Sequence, residues 1–355
     1  MEVTDTMSGM TSGTMPGTMA AVRVHGRGLV RTDAVPVPAP GPNDVLVRVA
    51  ACGLCGSDIT YIAAGGVAFE AEEPFGLGHE LSGTVLAVGD QVRDIQPGMR
   101  VVVNPMGDGN AIGNGAPDGG FAPYLLIPNA TLGSSILPIP DSMSFERAAL
   151  AEPLSVALHA VRRSGATTAS KVAIFGAGPI GLGILMFLKR QGVTDIAVVD
   201  RSPSRLERAR ALGAAHLVDA SGGDPAAALG DAHGRGELFG WPTVGTDLYF
   251  EASGAAPVLP AIVGMAPFHA RVVVVAVHKE PVAINWQMAL GKEMTFTTSM
   301  AYPDEFPAVL SALADPAFET EPFVSHRFSL DRFDEALTTA RDPMQSAKVL
   351  IDCTA

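Results

Sequence analysis

The chain has 355 residues, with 37 acidic and 24 basic side chains and a formal net charge of −13 when histidine is neutral. Nucleic acids and anionic membranes attract proteins through Lys and Arg, so this balance argues against either as the main partner. Hydrophobic residues make up 47% of the chain and charged residues 17%, which excludes global disorder and leaves room for about two packed domains.

Residues 1–18, rich in Met, Thr, Gly and Ser, are predicted to form a disordered tail. They contain no Lys or Arg and no apolar core, so they resemble neither a secretory signal nor a transit peptide. The three cysteines, Cys52, Cys55 and Cys353, are too few and odd in number for a disulfide framework. We therefore expect a cytoplasmic protein.

Residues 19–160 are predicted to form a β-rich domain. Three short apolar or alternating runs are bounded by Gly, Pro, Asn or Asp, as half-buried strands are; they lie at 45–52, 81–89 and 100–105. An irregular Gly-rich loop is expected over 107–120. Apolar positions over 144–164 recur at helical spacing, and Pro153 predicts a break between two helices there.

Residues 161–298 have a different pattern, typical of an α/β domain. The uncharged run at 172–188 is short for a membrane span and is broken by Gly and Pro, so it predicts a strand, a tight turn and a buried helix. Further strands alternate with helices of 10 to 15 residues, as in βαβ units with a parallel sheet. These strands are predicted at 195–200, 215–219, 248–254 and 270–277.

A glycine motif marks the turn between the first strand and helix of this domain. Gly176, Gly178 and Gly181 form G-x-G-x-x-G, in which the glycines allow a tight turn, close approach to a pyrophosphate and close helix packing. Asp200 ends the next strand, where an acidic residue binds the adenosine ribose hydroxyls and repels a 2′-phosphate. The motif predicts NAD binding, and Arg201, directly after Asp200, leaves NADP as the less favoured alternative.

A thiol, an imidazole and two carboxylates form a candidate metal site. Cys55 follows an apolar strand, His79 and Glu80 follow a glycine, and Glu152 lies in an otherwise apolar helix, where a buried carboxylate needs a partner. One thiolate, one imidazole and one or two carboxylates can hold zinc with an open position for substrate. Cys52 is interpreted as a core thiol, because no second cysteine pair completes a structural zinc site.

In combination, these motifs resemble the zinc-dependent medium-chain dehydrogenase/reductase superfamily, and most of all its sorbitol, 2,3-butanediol and threonine dehydrogenase branch. The resemblance covers about residues 20–352. It rests on Cys-Gly-Leu-Cys-Gly-Ser-Asp, Gly-His-Glu, Glu-Pro-Leu-Ser and Gly-Ala-Gly-Pro-Ile-Gly. It implies an α/β fold with a GroES-like β-rich catalytic domain and a doubly wound Rossmann domain, after which residues 299–355 return to the catalytic domain.

The resemblance also assigns roles residue by residue. Cys55 and His79 match zinc ligands, and Glu80 and Glu152 match carboxylates of which either binds zinc. Ser57 matches the hydroxyl that takes the alcohol proton. The remaining assignments are Asp58, which orients the ligand histidine, and Tyr61 and Met300 in the substrate pocket. The predicted cofactor contacts are Gly176, Gly178, Pro179, Ile180, Gly181, Asp200, Arg201, Arg205, Val275, Val277, Ser299 and Ala301.

Three departures from the family pattern set further expectations. The loop at about 104–120 contains no cysteine where the family often carries a four-cysteine zinc lobe, so we expect one catalytic zinc and no structural zinc. Thr60 stands where a proton-relay histidine is often found. Ala301 stands where sorbitol dehydrogenases carry an arginine that grips polyol hydroxyls, so a less polar secondary alcohol or diol is expected.

The sequence therefore predicts a zinc-containing, NAD-dependent alcohol dehydrogenase that converts a secondary alcohol or vicinal diol reversibly to a ketone. A polyol or L-threonine dehydrogenase is the alternative within this class. Outside it stand a zinc-free quinone or enone reductase and a non-catalytic NAD-binding protein. The family resemblance further implies a homodimer or homotetramer, joined through Rossmann edge strands such as 270–277.

Overall fold

The computed structural model describes residues 16–354. The predicted tail over residues 1–18 therefore lies outside the described residues, except for its last three, and the first strand already begins at Thr18. Within the described range, no helix is both long enough and apolar enough to cross a membrane.

The first region of the chain is dominated by β-strands, as its alternating apolar runs predict. Its strands are β1 (Thr18–Gly26), β2 (Leu29–Pro36), β3 (Val45–Leu54), β4 (Phe75–Gly76), β5 (Glu80–Val88), β6 (Arg100–Val103), β7 (Tyr124–Ile127) and β8 (Ile136–Pro138). Its helices are α1 (Gly56–Ala64), α2 (Phe145–Ala149) and α3 (Ala151–Ser164). The three predicted runs coincide with β3, β5 and β6.

The second region alternates strands and helices. Its elements are β9 (Val172–Phe175), α4 (Pro179–Arg190), β10 (Ile196–Asp200), α5 (Pro203–Ala211), β11 (His216–Asp219), α6 (Ala226–His233), β12 (Arg235–Leu238), β13 (Trp241–Val244), β14 (Leu248–Glu251), α7 (Val258–Met265), β15 (Arg271–Val274), α8 (Trp286–Gly291) and β16 (Thr295–Thr298). Six of these strands form a parallel sheet in the order β11-β10-β9-β14-β15-β16. This is the doubly wound order, in which a cofactor crevice opens where the order reverses beside β9.

The last region returns to the first sheet. It contains α9 (Phe306–Ala314), β17 (Val324–Ser329), α10 (Phe333–Ala340) and β18 (Lys348–Asp352). Strand β18 pairs antiparallel with β3, so the first sheet has the order β17-β18-β3-β5-β6-β8, and β7 also pairs with β3. The predicted boundary between residues 160 and 161 falls inside α3, which packs against both α4 and α9. One helix therefore joins the two regions.

Three local predictions differ from the structure. The helix break predicted at Pro153 lies at Leu150, and Pro153 sits in the first turn of α3, where a missing amide hydrogen costs little. The strand predicted at 270–277 ends at Val274. It pairs on both sides, with β14 and β16, so the edge strand on this side of the sheet is β16 and the expected pairing of copies through 270–277 is wrong.

One aspartate organises the Gly-rich loop. Asp108, with a positive φ of 56°, accepts hydrogen bonds from the Thr131 amide at 2.9 Å, the Thr131 hydroxyl at 2.6 Å and the Ser135 amide at 3.2 Å. Partial burial acts to raise the pKa of this carboxyl, but the hydrogen bonds from Ser135 and Thr131 outweigh it and hold the pKa below its usual value. The carboxylate thus ties the loop to residues 131–135.

Asp108→Asn is expected to lower the free energy of unfolding by about 1 kcal/mol at pH 7, because charge-assisted hydrogen bonds are lost at an exposed site. Asparagine tolerates the positive φ. The folded-state pKa of Asp108 is depressed, so its contribution is present above the unfolded pKa and disappears as the pH falls through the folded value. Urea unfolding at pH 7 and below about pH 4 measures the difference. Asp118→Asn, at an exposed aspartate of the same loop, is the control. An equal loss in its free energy of unfolding would contradict a specific role for Asp108.

Candidate functional site

The first group of site residues lies where β3 passes into α1. Cys55 is the N-cap of the helix and has an extended backbone conformation. The Asp58 carboxylate, in the first turn, accepts a hydrogen bond from the Cys55 amide at 2.8 Å. The other oxygen of Asp58 accepts the Gly78 amide at 3.2 Å. Asp58 is buried and therefore fixes the start of the helix against the segment that carries His79.

His79 faces this group from the start of β5. Its Nδ1 lies 3.6 Å from Asp58 Oδ1, and its Nε2 lies 3.3 Å from the Ser57 hydroxyl. Burial lowers the pKa of the imidazole, but Asp58, Cys55 and Glu152 together outweigh burial and hold that pKa well above its usual value. Asp58 thus lies on the Nδ1 side of the ring, and Nε2 points toward Ser57.

The structure brings together a potential metal-binding cluster. Cys55, His79 and Glu80 each place one ligand atom within 4.8 Å of the others. A thiolate, an imidazole and a carboxylate are a donor set that suits zinc, so the residues present fit such an ion. Glu152 is buried close to these residues but does not belong to that cluster among the residues described.

Glu80 already has a buried partner that the sequence did not reveal. Lys348 of β18 donates to both carboxylate oxygens of Glu80 at 2.6 Å and to the Leu54 carbonyl at 3.1 Å. Both side chains are at most 1% exposed. A Cβ on Gly53 would lie 1.9 Å from Glu80 Oε2, so the pair requires glycine there. The one sequence feature that could have indicated this pair is Lys348 itself, a charged residue at the start of a mostly apolar strand.

Glu152 lies in the first turn of α3, where burial raises the pKa of its carboxyl to about 7, against the opposing effect of His79. Tyr302, which sequence reasoning missed, is buried next to it. Burial, and then the charge of Glu152, raise the pKa of the Tyr302 hydroxyl above its usual value. No sequence motif marks this tyrosine.

The two predicted substrate-pocket residues lie in different surroundings. The Tyr61 hydroxyl, half buried on α1, donates to Asn114 Oδ1 at 3.1 Å, and burial raises its pKa. Asn114, in the Gly-rich loop, is therefore a further residue of this site that the sequence did not indicate. Met300 is 78% exposed, so its side chain lies at the surface and not within the buried site.

The glycine motif has the expected strand, turn and helix around it. Gly176 has a φ of +102°, and a Cβ there would lie 2.8 Å from the Ala252 carbonyl oxygen. A Cβ on Gly181 would lie 1.8 Å from the Gly176 carbonyl oxygen. A Cβ on Gly178 would meet only Arg205 Nη1, at 3.8 Å. The space above the start of α4 thus remains open for a phosphate, beside a guanidinium.

A cavity of about 800 Å³ adjoins this turn and is lined by Gly176, Asp200, Arg201 and Met344, among others. Asp200 accepts hydrogen bonds from the amides of Ala177 at 2.7 Å and Ser202 at 2.8 Å. These bonds orient its carboxylate at the end of the strand. Arg205 Nε donates to the Ser346 carbonyl at 2.7 Å. The segment 343–346 therefore closes one side of the cavity, a feature that the sequence did not reveal.

The remaining predicted cofactor residues lie at the helix start and at the far strands. Pro179 and Ile180 begin α4 and are partly exposed. Val275 and Val277 follow β15, and Val277 is 76% exposed. These positions frame the same crevice at the carboxyl ends of the strands.

Ser299 and Ala301 follow β16. The Ser299 amide donates to the Val274 carbonyl at 3.0 Å, and the buried Ser299 hydroxyl has no hydrogen-bond partner among the described residues. Ala301 has a positive φ of 56°. Tyr302 lies beside Glu152 and near Cys55 and Glu80, so the segment 299–302 runs from the carboxyl end of β15 to the surroundings of the metal-binding cluster.

Comparison with known proteins gives matches over nearly the whole chain. The family models for the alcohol dehydrogenase GroES-like domain and for zinc-binding dehydrogenase match residues 41–141 and 179–315. Sorbitol dehydrogenase of Bos taurus is 33% identical over 347 residues, covering 93% of this chain and 95% of that protein.

Solved structures agree with these matches. The 2R,3R-butanediol dehydrogenase of Bacillus subtilis aligns with a TM-score of 0.82 and 31% identity, covering 94% of this chain and 99% of that one. A protein of Sinorhizobium meliloti 1021 described as a zinc-binding dehydrogenase, bound to NADP, aligns with a TM-score of 0.83 and 31% identity, covering 95% of this chain and 100% of that one.

Proposed function

Because the chain belongs to the zinc-binding alcohol dehydrogenase family, we propose that it oxidises a secondary alcohol or vicinal diol reversibly to a ketone, with zinc and NAD. The observation that carries this proposal is the connection of two sites by the segment 299–302. Tyr302 at one end lies near the thiol and carboxylates. Ser299 at the other end is bonded to the end of β15, at the edge of the parallel sheet where a dinucleotide crevice opens. Such an arrangement suits hydride transfer between an alcohol carbon and a nicotinamide.

Zinc would be held by Cys55 and His79 together with one of the two buried glutamates. Glu80 belongs to the compact cluster but is neutralised by Lys348. Glu152 has no such cation bonded to it in the described chain and lies farther from the thiol and imidazole. When bound, zinc acts as a Lewis acid toward the alcohol oxygen, and the nicotinamide accepts the hydride.

The residues of the chain orient the reactants and move the proton. Asp58 anchors the Gly78 amide next to His79 and places a carboxylate oxygen 3.6 Å from Nδ1 of the ring, so that Nε2 faces Ser57. The Ser57 hydroxyl, 3.3 Å from that nitrogen, is placed to accept the proton of the alcohol and pass it toward solvent. Thr60, where a relay histidine is often found, donates instead to the Gly56 carbonyl at 3.1 Å and takes no part.

We further propose a single thiolate-bound zinc in each chain. No cysteine occurs in the loop at 104–120. The Asp108 carboxylate accepts hydrogen bonds from Thr131 and Ser135 that tie this loop down without a metal. Both observations favour a catalytic zinc without the four-cysteine lobe.

The cofactor is proposed to be NAD. Asp200 stands at the strand end beside the 800 Å³ cavity, where its carboxylate suits two ribose hydroxyls and repels a 2′-phosphate. The adjacent Arg201 is exposed at the same cavity and would soften this preference. The NADP bound to the Sinorhizobium meliloti relative makes the comparison of the two cofactors a necessary test.

Asp200→Asn is expected to raise the KM for NAD by about 10- to 100-fold, because a charge-assisted hydrogen bond to the ribose is weakened. The preference for NAD over NADP should fall by a similar factor, since the repulsion of the phosphate is lost. Steady-state kinetics with both cofactors measures this change. Asp219→Asn is the matched control, because Asp219 ends the neighbouring strand at the same register. Unchanged selectivity in Asp200→Asn would refute the assignment.

The substrate is proposed to be less polar than a sugar alcohol. Ala301 offers no hydrogen-bond donor from its side chain, and Met300 beside it is apolar. Initial rates of NADH formation over chiral secondary alcohols, vicinal diols, sorbitol and L-threonine, measured together with zinc content, test the function. Turnover of sorbitol or threonine above all simple alcohols would favour the polyol or threonine alternative.

We also propose a cytoplasmic homodimer or homotetramer. All three cysteines are free in the structure, which suits a reducing compartment. Trp286 and Leu290 of α8 are 64% and 78% exposed close to the β16 edge, and an apolar surface next to a free strand edge favours pairing with a second copy. Sedimentation of the purified chain measures the number of subunits.

A further inference from the structure

A second cluster of potential metal ligands lies in the Rossmann region, away from the site described above. Asp195 directly precedes β10, His216 begins β11 and His233 ends α6. These positions gather at the amino end of the parallel sheet. Asp200, at the other end of β10, faces the cofactor cavity, and five residues of strand separate the two ends by about 16 Å.

The spacing of the three side chains suits one metal ion. Asp195 Oδ1 lies 3.1 Å from His216 Nε2 and 3.3 Å from His233 Nε2. One ligand atom of each residue lies within 4.8 Å of the other two. Ligands about 2.0–2.1 Å from a tetrahedral zinc stand about 3.3–3.4 Å from one another. The separation of Asp195 from His233, 3.3 Å, therefore matches, and that of Asp195 from His216, 3.1 Å, is slightly shorter. The two imidazole nitrogens lie within 4.8 Å of each other.

His233 is the strongest indication that something is bound here. Its side chain is fully buried, and its Nε2 has no hydrogen-bond partner among the residues described, although Asp195 Oδ1 is near. Its Nδ1 lies 2.7 Å from the Thr246 hydroxyl. When Nδ1 donates to Thr246, Nε2 carries the free lone pair, which is the form of imidazole that binds metals. A buried nitrogen without a partner is costly, and an ion would satisfy it.

The cluster is also accessible. His216 and Asp195 are 37% and 36% exposed, and His216 lines a cavity of about 450 Å³ together with Arg210 and Asp231. This opening gives an ion a route of entry and gives water room to complete the coordination. The Lys171 ammonium donates a hydrogen bond to the His233 carbonyl at 2.8 Å. This bond fixes the end of α6.

We propose that Asp195, His216 and His233 bind one divalent transition-metal ion, with Zn²⁺ as the best-fitting metal and water as the further ligand. Two imidazoles and one carboxylate favour zinc over Mg²⁺ or Ca²⁺, which prefer oxygen ligands. The ion would join the edge strand β11 and helix α6 to β10. It would be an ion additional to the catalytic zinc, bound without a thiolate.

The test separates this ion from the catalytic one by working in full-length Cys55→Ser, prepared without a histidine tag. Apoprotein of this variant is titrated with ZnCl₂ in a calorimeter and followed by thermal unfolding. We expect one zinc per chain and a rise in Tm on adding zinc. No binding in this variant would overturn the proposal. Because the catalytic thiol is absent, the outcome does not depend on the proposed dehydrogenase activity.

Substitutions identify the ligands. His216→Asn, on the half-exposed ligand, should fold and should weaken zinc binding by more than about 100-fold, and Thr246→Val should weaken it by about 10- to 100-fold through loss of the hydrogen bond to His233. His269→Asn is the matched control, because His269 also contacts a carboxylate, Glu293 Oε2 at 2.9 Å, on the surface of the same region. Equal zinc affinity in His216→Asn and His269→Asn would show that the cluster is only a hydrogen-bond network.

Cobalt gives a spectroscopic readout in the native chain. Co²⁺ bound at Cys55 should show an intense charge-transfer band from the thiolate, whereas Co²⁺ at the second cluster should show only weak bands from nitrogen and oxygen ligands. We expect two Co²⁺ ions in the wild-type chain and one in His216→Asn, with the thiolate band unchanged. Loss of the thiolate band in His216→Asn would contradict two independent sites.

Discussion

Replacing Cys55 by serine is expected to remove the catalytic zinc and to lower alcohol oxidation by about three orders of magnitude or more. The serine hydroxyl does not ionise near neutral pH, so the site loses its only thiolate and the metal that activates the alcohol. Serine is a favourable residue at a helix N-cap, which is the position Cys55 occupies, so the fold should persist. Zinc analysis, circular dichroism and NADH formation measure the three effects.

Cys52→Ala is the control for this experiment. Cys52 is fully buried on β3, in the core of the first sheet. Removing its thiol should lower the free energy of unfolding by about 1 kcal/mol and leave the catalytic zinc in place. Full activity of metal-free Cys55→Ser would refute the proposed function. Parallel zinc analysis of Glu80→Gln and Glu152→Gln shows which carboxylate binds: the variant that loses the metal carries the ligand.

Ser57→Ala should lower kcat by about 10² to 10⁴, the usual contribution of a positioned proton acceptor. The affinity for NAD should not change, because the crevice around Asp200 does not contain Ser57. Alanine is a strong helix former, so α1 should remain intact. Single-turnover formation of NADH and direct measurement of NAD binding separate chemistry from cofactor affinity.

Thr60→Ala tests the route of the proton. Thr60 lies one turn farther along α1, and its hydroxyl donates to the Gly56 carbonyl, so its loss should change kcat by less than about threefold. If the kcat of Thr60→Ala fell as far as the kcat of Ser57→Ala, the proton would leave through Thr60. If neither variant changed kcat, the proposed proton acceptor would be wrong.

The strongest predictions from sequence were those that depend on short stretches of chain. The glycine motif could be interpreted from its neighbours alone, because the positive φ of Gly176 and the close contact of Gly181 with the Gly176 carbonyl arise within one strand, turn and helix. The contact of Gly176 with Ala252, 76 residues later, could not be read from that stretch. The same holds for the strands that contain Cys52 and Asp200, since alternating or continuous apolar runs determine which face is buried. Helix α3 shows the limit: its break lies at Leu150, where no proline stands.

Contacts between distant segments could not be predicted in this way. Lys348 lies 268 residues from Glu80, and nothing near either residue specifies the pairing. Tyr302 and Asn114 reach the site from loops whose path depends on the packing of whole sheets. The cluster of Asp195, His216 and His233 comes from three different elements and has no sequence spacing typical of a metal motif.

The buried pair of Lys348 and Glu80 has a consequence for biosynthesis. A ribosome completes β3, α1 and β5, and then the whole Rossmann region, before it adds Lys348. Until then the Glu80 carboxylate has no cation to accompany it into the core, and burying it alone would be strongly unfavourable. We therefore expect the residues around Glu80 to reach their final arrangement only after β18 has been made and paired with β3.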